Sequence, residues 1–374
     1  MGSVAERPPR VLVVGQGPPT RGGIPTFITE LATDPWLARK VQFEVLNTTP
    51  RTTKRPGALS PANVRLALTH ASAVWRRARR TDVVHLNLAP APTFPLLRAI
   101  LLSAAAKAAR SRVMLHAHSG RIERCAESRT YRRLLRLASR VVDEFIVVSR
   151  PAERVVAEAR NRVIYLPNGI DVDRFSTGPK PTEPPHLAFV GTICERKGLV
   201  DLLQALKALP QGPGEARLPV RVVLVGDSAQ EGPDEFDRVR RAYVDAGLSE
   251  VQFCGPVDRQ RIVEILARSS IFCLPSHWEG FPLSVLEAMA SGAAVVATSV
   301  GEIPSMLDHG RAGILTPVHD PAALATAIKR LIDDPEERAR LGDAARRRVR
   351  ELYGRRRMAS CLYDTYSRLR DHSM

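Results

Sequence analysis

Apolar residues in this chain fall in short, nearly unbroken runs, separated by longer stretches with helical spacing. Such runs suit parallel strands, whose two faces are both covered and so need no alternation with polar residues. In the first half they predict strands at residues 11–14, 43–46, 83–86, 113–116, 145–148 and 163–166. In the second half they predict strands at 187–190, 222–225, 251–253, 271–274, 294–297 and 313–315. Two successive β/α series predict an α/β protein with two doubly wound, Rossmann-like sheets.

Breaker residues divide the pattern. Pro, Gly, Ser and Thr crowd between positions 176 and 185, which predicts the main boundary there. The expected domains are residues 1–175, residues 186–345 and a closing helical segment, 346–374. In that last segment Met358, Leu362, Tyr363, Tyr366 and Leu369 are spaced as one buried helical stripe. Residues 211–219 read as a surface loop, and Asp333-Asp334-Pro335 as the start of a charged helix. Residues 129–140 predict a two-faced helix, with Tyr131, Leu134, Leu135 and Ala138 opposite Arg129, Arg132, Arg133, Arg136 and Arg140.

The most informative stretch is SHWEGFPLSVLEAMASG, residues 276–292. It follows a predicted buried strand, turns at Trp278-Glu279-Gly280-Phe281, and enters a helix with Pro282 expected at the first helical position. The N–H groups of Phe281, Leu283 and Ser284 would then point out of the positive end of a helix, a ready site for a diphosphate. Gly280 would let that anion approach the backbone. Glu287 lies about two turns beyond Glu279, so the two carboxylates can flank one ligand. An isolated pair at this spacing would be ordinary solvent-facing carboxylates; the strand–turn–helix setting raises it above that.

This stretch resembles the donor-binding signature of retaining glycosyltransferases of the GT-B fold, specifically glycosyltransferase family 4. The resemblance extends over nearly the whole chain. FVGTICERKG (189–198), LVGD (224–227), FCGPV (253–257), LPNGID (166–171), Arg21-Gly22-Gly23-Ile24, DVVHLN (82–87) and LHAHSG (115–120) each match a family segment. It implies two Rossmann-like domains facing each other across a cleft, the second holding a nucleotide sugar and the first the acceptor. It also implies a last helix that crosses back to the first domain. By position, Glu279 would face the donor sugar and Glu287 the ribose hydroxyls. Gly280, Phe281, Pro282 and Leu283, with Arg196 and Lys197, would hold the diphosphate. Val257 would lie at the base, Gly23 would approach the phosphates, and His118 would stand beside the sugar and the incoming acceptor. Many members carry Arg where this chain has Thr192, and Arg196 is the candidate to supply that charge.

The implied activity is retaining, metal-independent hexosyl transfer from a nucleotide sugar, UDP-sugar favoured, to an acceptor hydroxyl in glycan, glycolipid or secondary-metabolite synthesis. The competing classes are an epimerase or phosphorylase of the same fold, and a non-catalytic anion-binding protein. The second would have no need of Lys197, Glu279, Glu287 and His118 together. No cofactor and no metal are expected. Asp171-Val172-Asp173 sits at an Asn-Gly turn, where aspartates serve as turn and cap residues. Gly15-Gln16-Gly17 lacks the third glycine of a dinucleotide fingerprint. His85 and His116 carry no signal above that of ordinary hydrogen-bonded histidines.

Charge adds one feature. Residues 1–170 hold 28 Lys and Arg against 11 Asp and Glu, whereas the chain as a whole carries +16. The excess is confined to the first half. It predicts an anionic partner there, such as an acidic lipid surface or a phosphorylated acceptor; nucleic acid is not favoured, for no binding module accompanies the charge. Five scattered cysteines suggest neither a disulfide framework nor a zinc site. The longest apolar run, 96–109, is broken by Arg98 and Lys107, and no secretory leader is evident. A cytoplasmic protein that touches the inner face of the membrane is the expectation.

Overall fold

The computed structural model describes residues 7–20, 22–49, 59–159, 162–175, 184–210, 218–227, 233–248 and 251–371. Every apolar run predicted as a strand forms one, with ends shifted by one or two residues at most. These are β1 (Arg10–Gly15), β2 (Gln42–Asn47), β3 (Val83–Leu88), β4 (Arg112–Ala117), β5 (Glu144–Val147) and β6 (Val163–Tyr165) in the first series. The second series is β7 (His186–Val190), β8 (Arg221–Val225), β9 (Val251–Phe253), β10 (Ile271–Leu274), β11 (Ala294–Thr298) and β12 (Ile314–Thr316).

Each series forms its own six-stranded sheet, with orders β2-β1-β3-β4-β5-β6 and β12-β11-β10-β7-β8-β9. The strand pairs are parallel throughout. The second sheet, counted from its own first strand, has the Rossmann order 3-2-1-4-5-6. The first sheet begins 2-1-3, as in flavodoxin-like folds.

Burial explains the unbroken apolar runs. In the first sheet Leu12, Val14, Val84, Leu86, Val113 and Leu115 pack in one core cluster with residues of the helices Pro61–Ala78, Thr93–Ala108 and Arg129–Val141. Their neighbours Val11, Val13, Val83 and Met114 pack in another, with Phe27, Ile28 and Leu31 and with Met358, Leu362, Tyr366 and Leu369. Successive side chains point to opposite faces, so a strand covered on both must be apolar at every position.

The chain divides into two compact units, Met1–Asn168 with Arg356–Met374, and Gly169–Arg355. These edges differ from those expected at 175, 186 and 346. The short helix Val172–Phe175 goes with the second unit, where Phe175 is fully buried and the Arg259 guanidinium lies 5.2 Å from its ring centre. The charged helix Pro335–Leu352, capped by Asp334, also stays in the second unit, and only the last helix, Arg355–Asp371, joins the first. The breaker-rich positions 176–183 and the loop at 211–217 lie outside the described residues.

Candidate functional site

In the second sheet β7 and β10 are neighbours, with β8 and β9 to one side and β11 and β12 to the other. Loops leaving the carboxyl ends of two such strands diverge, and open α/β sheets bind their ligands in the crevice this leaves. The loop after β7 carries Thr192 to Gly198, and the loop after β10 carries Pro275 to Pro282.

Backbone contacts lock these two loops together. Gly198 has φ +69°, and a Cβ there would stand 1.8 Å from the carbonyl oxygen of Pro275, so only glycine fits. The N–H of His277 donates to the Arg196 carbonyl at 2.8 Å. Lys197 Nζ then reaches Glu279 Oε1 at 2.5 Å, and the Ser276 hydroxyl donates to the same oxygen at 2.7 Å. Ser276 is itself held, for Thr298 Oγ1 donates to its carbonyl at 2.5 Å. Glu279 is 8% exposed. Arg196 lies alongside, its guanidinium 4.5 Å from the centre of the half-buried Trp278 ring. Thr192 is half-buried in the same loop.

The helix Leu283–Ala290 starts one residue later than expected. Pro282 is its N-cap rather than its first helical residue, because its ψ of 115° is extended. The proline still contributes by leaving no N–H to satisfy, and its carbonyl accepts from Val285 N at 3.2 Å. Among the described residues the N–H groups of Phe281, Leu283 and Ser284 have no protein acceptor. Phe281 is buried, with its ring edge-on to Tyr353 at 5.6 Å. The Gly280 carbonyl accepts from Glu302 N at 3.1 Å.

Glu287, 3% exposed, pairs with Arg259. Arg259 opens the helix Arg259–Arg268, whose Asp258 cap accepts from Arg261 N at 2.8 Å. Val257 lies half-buried in the loop just before it. Arg259 lies outside every segment the sequence singles out, and Ser276 opens the 276–292 stretch with no role assigned to it there. A buried carboxylate needs a partner, and that need points to a cation near Glu287 without saying which.

Gly23 and His118 belong to the first unit. Gly23 opens the helix Gly23–Ala32 behind Gly22 at φ +135°, and a Cβ on Gly23 would meet nothing within 4 Å. Arg21 lies outside the described residues. His118 follows β4, stacked 4.1 Å from the His116 ring centre and 4.8 Å from that of Phe27. Its Nε2 is 3.0 Å from Asn87 Oδ1, an acceptor, so the proton sits on Nε2 and Nδ1 keeps its lone pair. Burial pushes its pKa down to about 3, so the ring is neutral. Asn87, the last residue of DVVHLN, and Phe27 also shape this site, though the sequence assigns neither a role. His116 is stacked between His85 and His118, and His85 Nδ1 lies 2.7 Å from the Tyr366 hydroxyl.

Two weaker motifs resolve into structural roles. Gly17 N–H donates to Asn47 Oδ1 at 3.0 Å, so that strand-end turn is tied down by protein. Asp171 pairs with Arg355 at 3.0 Å.

Residues 172–348 match the family of glycosyl transferases group 1, and residues 21–174 match glycosyltransferase family 4. The chain belongs to this glycosyltransferase family. The group 1 segment contains Arg196, Lys197, Arg259, Glu279 and Glu287, and the family 4 segment contains Gly23 and His118. The fold of this family member is GT-B: the solved sucrose-phosphate synthase from Thermosynechococcus elongatus superposes with a TM-score of 0.77 at 21% identity, covering 97% of this chain and 99% of that one. The crystal structure of Anabaena HepE in complex with UDP-glucose superposes with a TM-score of 0.74 at 20% identity, covering 96% and 99%. The D-inositol 3-phosphate glycosyltransferase of Streptomyces avermitilis is 29% identical over 255 residues, 62% of this chain and 54% of the relative. The chain thus spans about half the length of the curated relatives it matches.

Proposed function

We propose that this protein is a retaining glycosyltransferase that moves a hexosyl group from a nucleoside-diphosphate sugar to an acceptor hydroxyl. The observation that carries this proposal is the Lys197–Glu279 pair, held at the sheet's switch point in the loops beside the open amides of helix Leu283–Ala290. Without a donor the ammonium is balanced by the carboxylate. A diphosphate at the helix start would draw Lys197 and Arg196 to its oxygens and free Glu279 to accept from a sugar hydroxyl.

Cleavage of the sugar–phosphate bond leaves growing negative charge on the diphosphate. Fixed cations and amides stabilise that charge without reorganising, so this chemistry requires no metal. The acceptor oxygen attacks the anomeric carbon from the face that the diphosphate leaves. A phosphate oxygen takes the hydroxyl proton, giving a glycoside with its configuration kept and a nucleoside diphosphate. His118, neutral with a lone pair on Nδ1, would accept a hydrogen bond from the sugar or acceptor. Glu287, oriented by Arg259, would receive the ribose hydroxyls, with Val257 beside the base.

The favoured nucleotide is UDP, supported by the UDP-glucose named for the Anabaena HepE structure. A phosphorylated or lipid acceptor fits the basic first unit. There the helix Arg129–Val141 exposes Arg129, Arg132, Arg133, Arg136 and Arg140 while burying Tyr131, Leu135 and Ala138. No described helix is long and apolar enough to cross a membrane.

Thermal-shift titration with UDP, GDP and ADP, then with their sugars, tests the donor class. In the same series Glu279→Gln should bind the nucleotide normally and transfer sugar roughly 100-fold more slowly. Near-normal transfer by purified Glu279→Gln would remove that residue from the chemistry.

A further inference from the structure

Asp201, His277 and His319 bring a carboxylate and two imidazoles together, with one ligand atom from each lying within 4.8 Å of the others. The three come from different segments that follow the carboxyl ends of strands in the second sheet. Asp201 is in the first turn of helix Leu199–Lys207, His277 is in the turn after β10, and His319 lies between β12 and helix Pro321–Asp333. His277 Nε2 is 3.0 Å from Asp201 Oδ2, and the His277 and His319 rings stand 3.8 Å apart at their centres.

We propose that these residues bind a borderline divalent cation of the zinc class, with water completing the coordination. The donor set carries the chemistry: two imidazole nitrogens and one carboxylate suit zinc, cobalt or nickel, whereas magnesium and calcium take all-oxygen sites. Asp201 sits near a helix N-terminus, where its negative charge is favoured. Metal–ligand bonds of about 2.0–2.2 Å in a tetrahedron place the donor atoms about 3.3–3.5 Å apart. The contraction needed is small, and His319, which is exposed, can supply it by side-chain rotation. Coordination would replace the Asp201–His277 hydrogen bond, with the imidazole proton leaving whichever nitrogen takes the metal.

His319 adds a second observation. It has φ +56°, a conformation that costs a non-glycine residue energy, at a loop position where glycine would relax the backbone. A histidine kept there places its imidazole against His277.

The cation would act as a clamp. Asp201 is four residues after Lys197, and His277 is two before Glu279, with its N–H already on the Arg196 carbonyl. Binding would therefore tie the two donor loops to each other and to the loop after β12. The proposal concerns cation binding and does not depend on glycosyl transfer.

Isothermal titration of the full untagged chain with zinc chloride, followed by visible absorption with cobalt and by thermal unfolding, tests it. The expected result is one zinc per chain, a cobalt d–d spectrum typical of tetrahedral N/O ligation, and a raised Tm that magnesium does not reproduce. His319→Gly, which suits that φ and keeps the fold, and His277→Asn should each weaken zinc binding by roughly 100-fold or more. The proposal is overturned if the full chain shows no saturable zinc binding, or if either variant binds zinc as tightly as the parent.

Discussion

Gly301 lies so close beneath the Glu279 carbonyl that a Cβ on it would stand 2.2 Å from that oxygen. Its φ is +58°, and the next residue, Glu302, donates its N–H to the Gly280 carbonyl at 3.1 Å. These two backbone contacts thus help to hold the turn that presents Glu279. Gly301→Ala adds left-handed strain and pushes the turn away, for a cost of about 2 kcal/mol or more. The expected outcome is a lowered Tm together with weakened nucleotide binding. Unchanged values for both would show that the turn does not rest on Gly301.

Glu287 and Arg259 form an ion pair in which Glu287 is 3% and Arg259 25% exposed. Glu287→Ala leaves the guanidinium partly buried without its carboxylate. Complete burial would cost several kcal/mol, and the partial exposure of Arg259 reduces this to about 2 kcal/mol. Glu287→Gln keeps a carbonyl acceptor and should lose less. Urea unfolding of both variants measures the difference, and equal losses would argue against the pair as the source of the effect.

The buried histidines, three of them in the His85–His116–His118 stack and His70 beside Arg98, make stability depend on pH. Burial lowers the pKa of His85 and His116 well below 6.5, that of His118 to about 3, and that of His70 to about 4 with help from Arg98. In the unfolded chain these groups bind protons from about pH 6.5 downward, whereas the folded state does not. Their contribution is therefore fully present above pH 6.5 and is lost as pH falls toward the folded values. Each neutral histidine steepens the loss by up to about 1.4 kcal/mol per pH unit. Thermal unfolding between pH 7.5 and 5 should show a falling Tm, less steep in His118→Asn. A flat profile would contradict the assignment of buried neutral rings.

Arg129, Arg133, Arg136 and Arg140 carry exposed charges with no carboxylate partner among the described residues. Sedimentation with vesicles should show binding to acidic lipid at low salt and its loss at high salt, where screening is short-ranged. The triple variant Arg133→Glu, Arg136→Glu, Arg140→Glu should not sediment. Equal binding to neutral and acidic vesicles would remove the lipid surface as the partner.

Much of this was legible from local pattern. Residues 271–274 are apolar at every position because both faces of β10 are covered, and such a run announces a buried parallel strand before any coordinates exist. The helix after Pro282 was equally clear, although its first residue was not. Whether a proline is N-cap or first helical residue depends on ψ at that position, which the neighbouring turn decides. The edges of the two units were obscured for a related reason. Phe175 looks like the end of the first series, but it is buried in the second unit beside Arg259, a distant contact that sequence spacing does not record.

What the sequence alone determined is the strand runs, the α/β class and the loop carrying Glu279, all of which follow from the order of neighbouring residues. Tertiary structure decided the partners: Lys197 for Glu279, Arg259 for Glu287, Tyr366 for His85, and Asp201 beside His277 and His319. Charge pairing and burial act through space, across separations of 28 to 281 residues for the hydrogen-bonded pairs among them, so no local pattern could assign them.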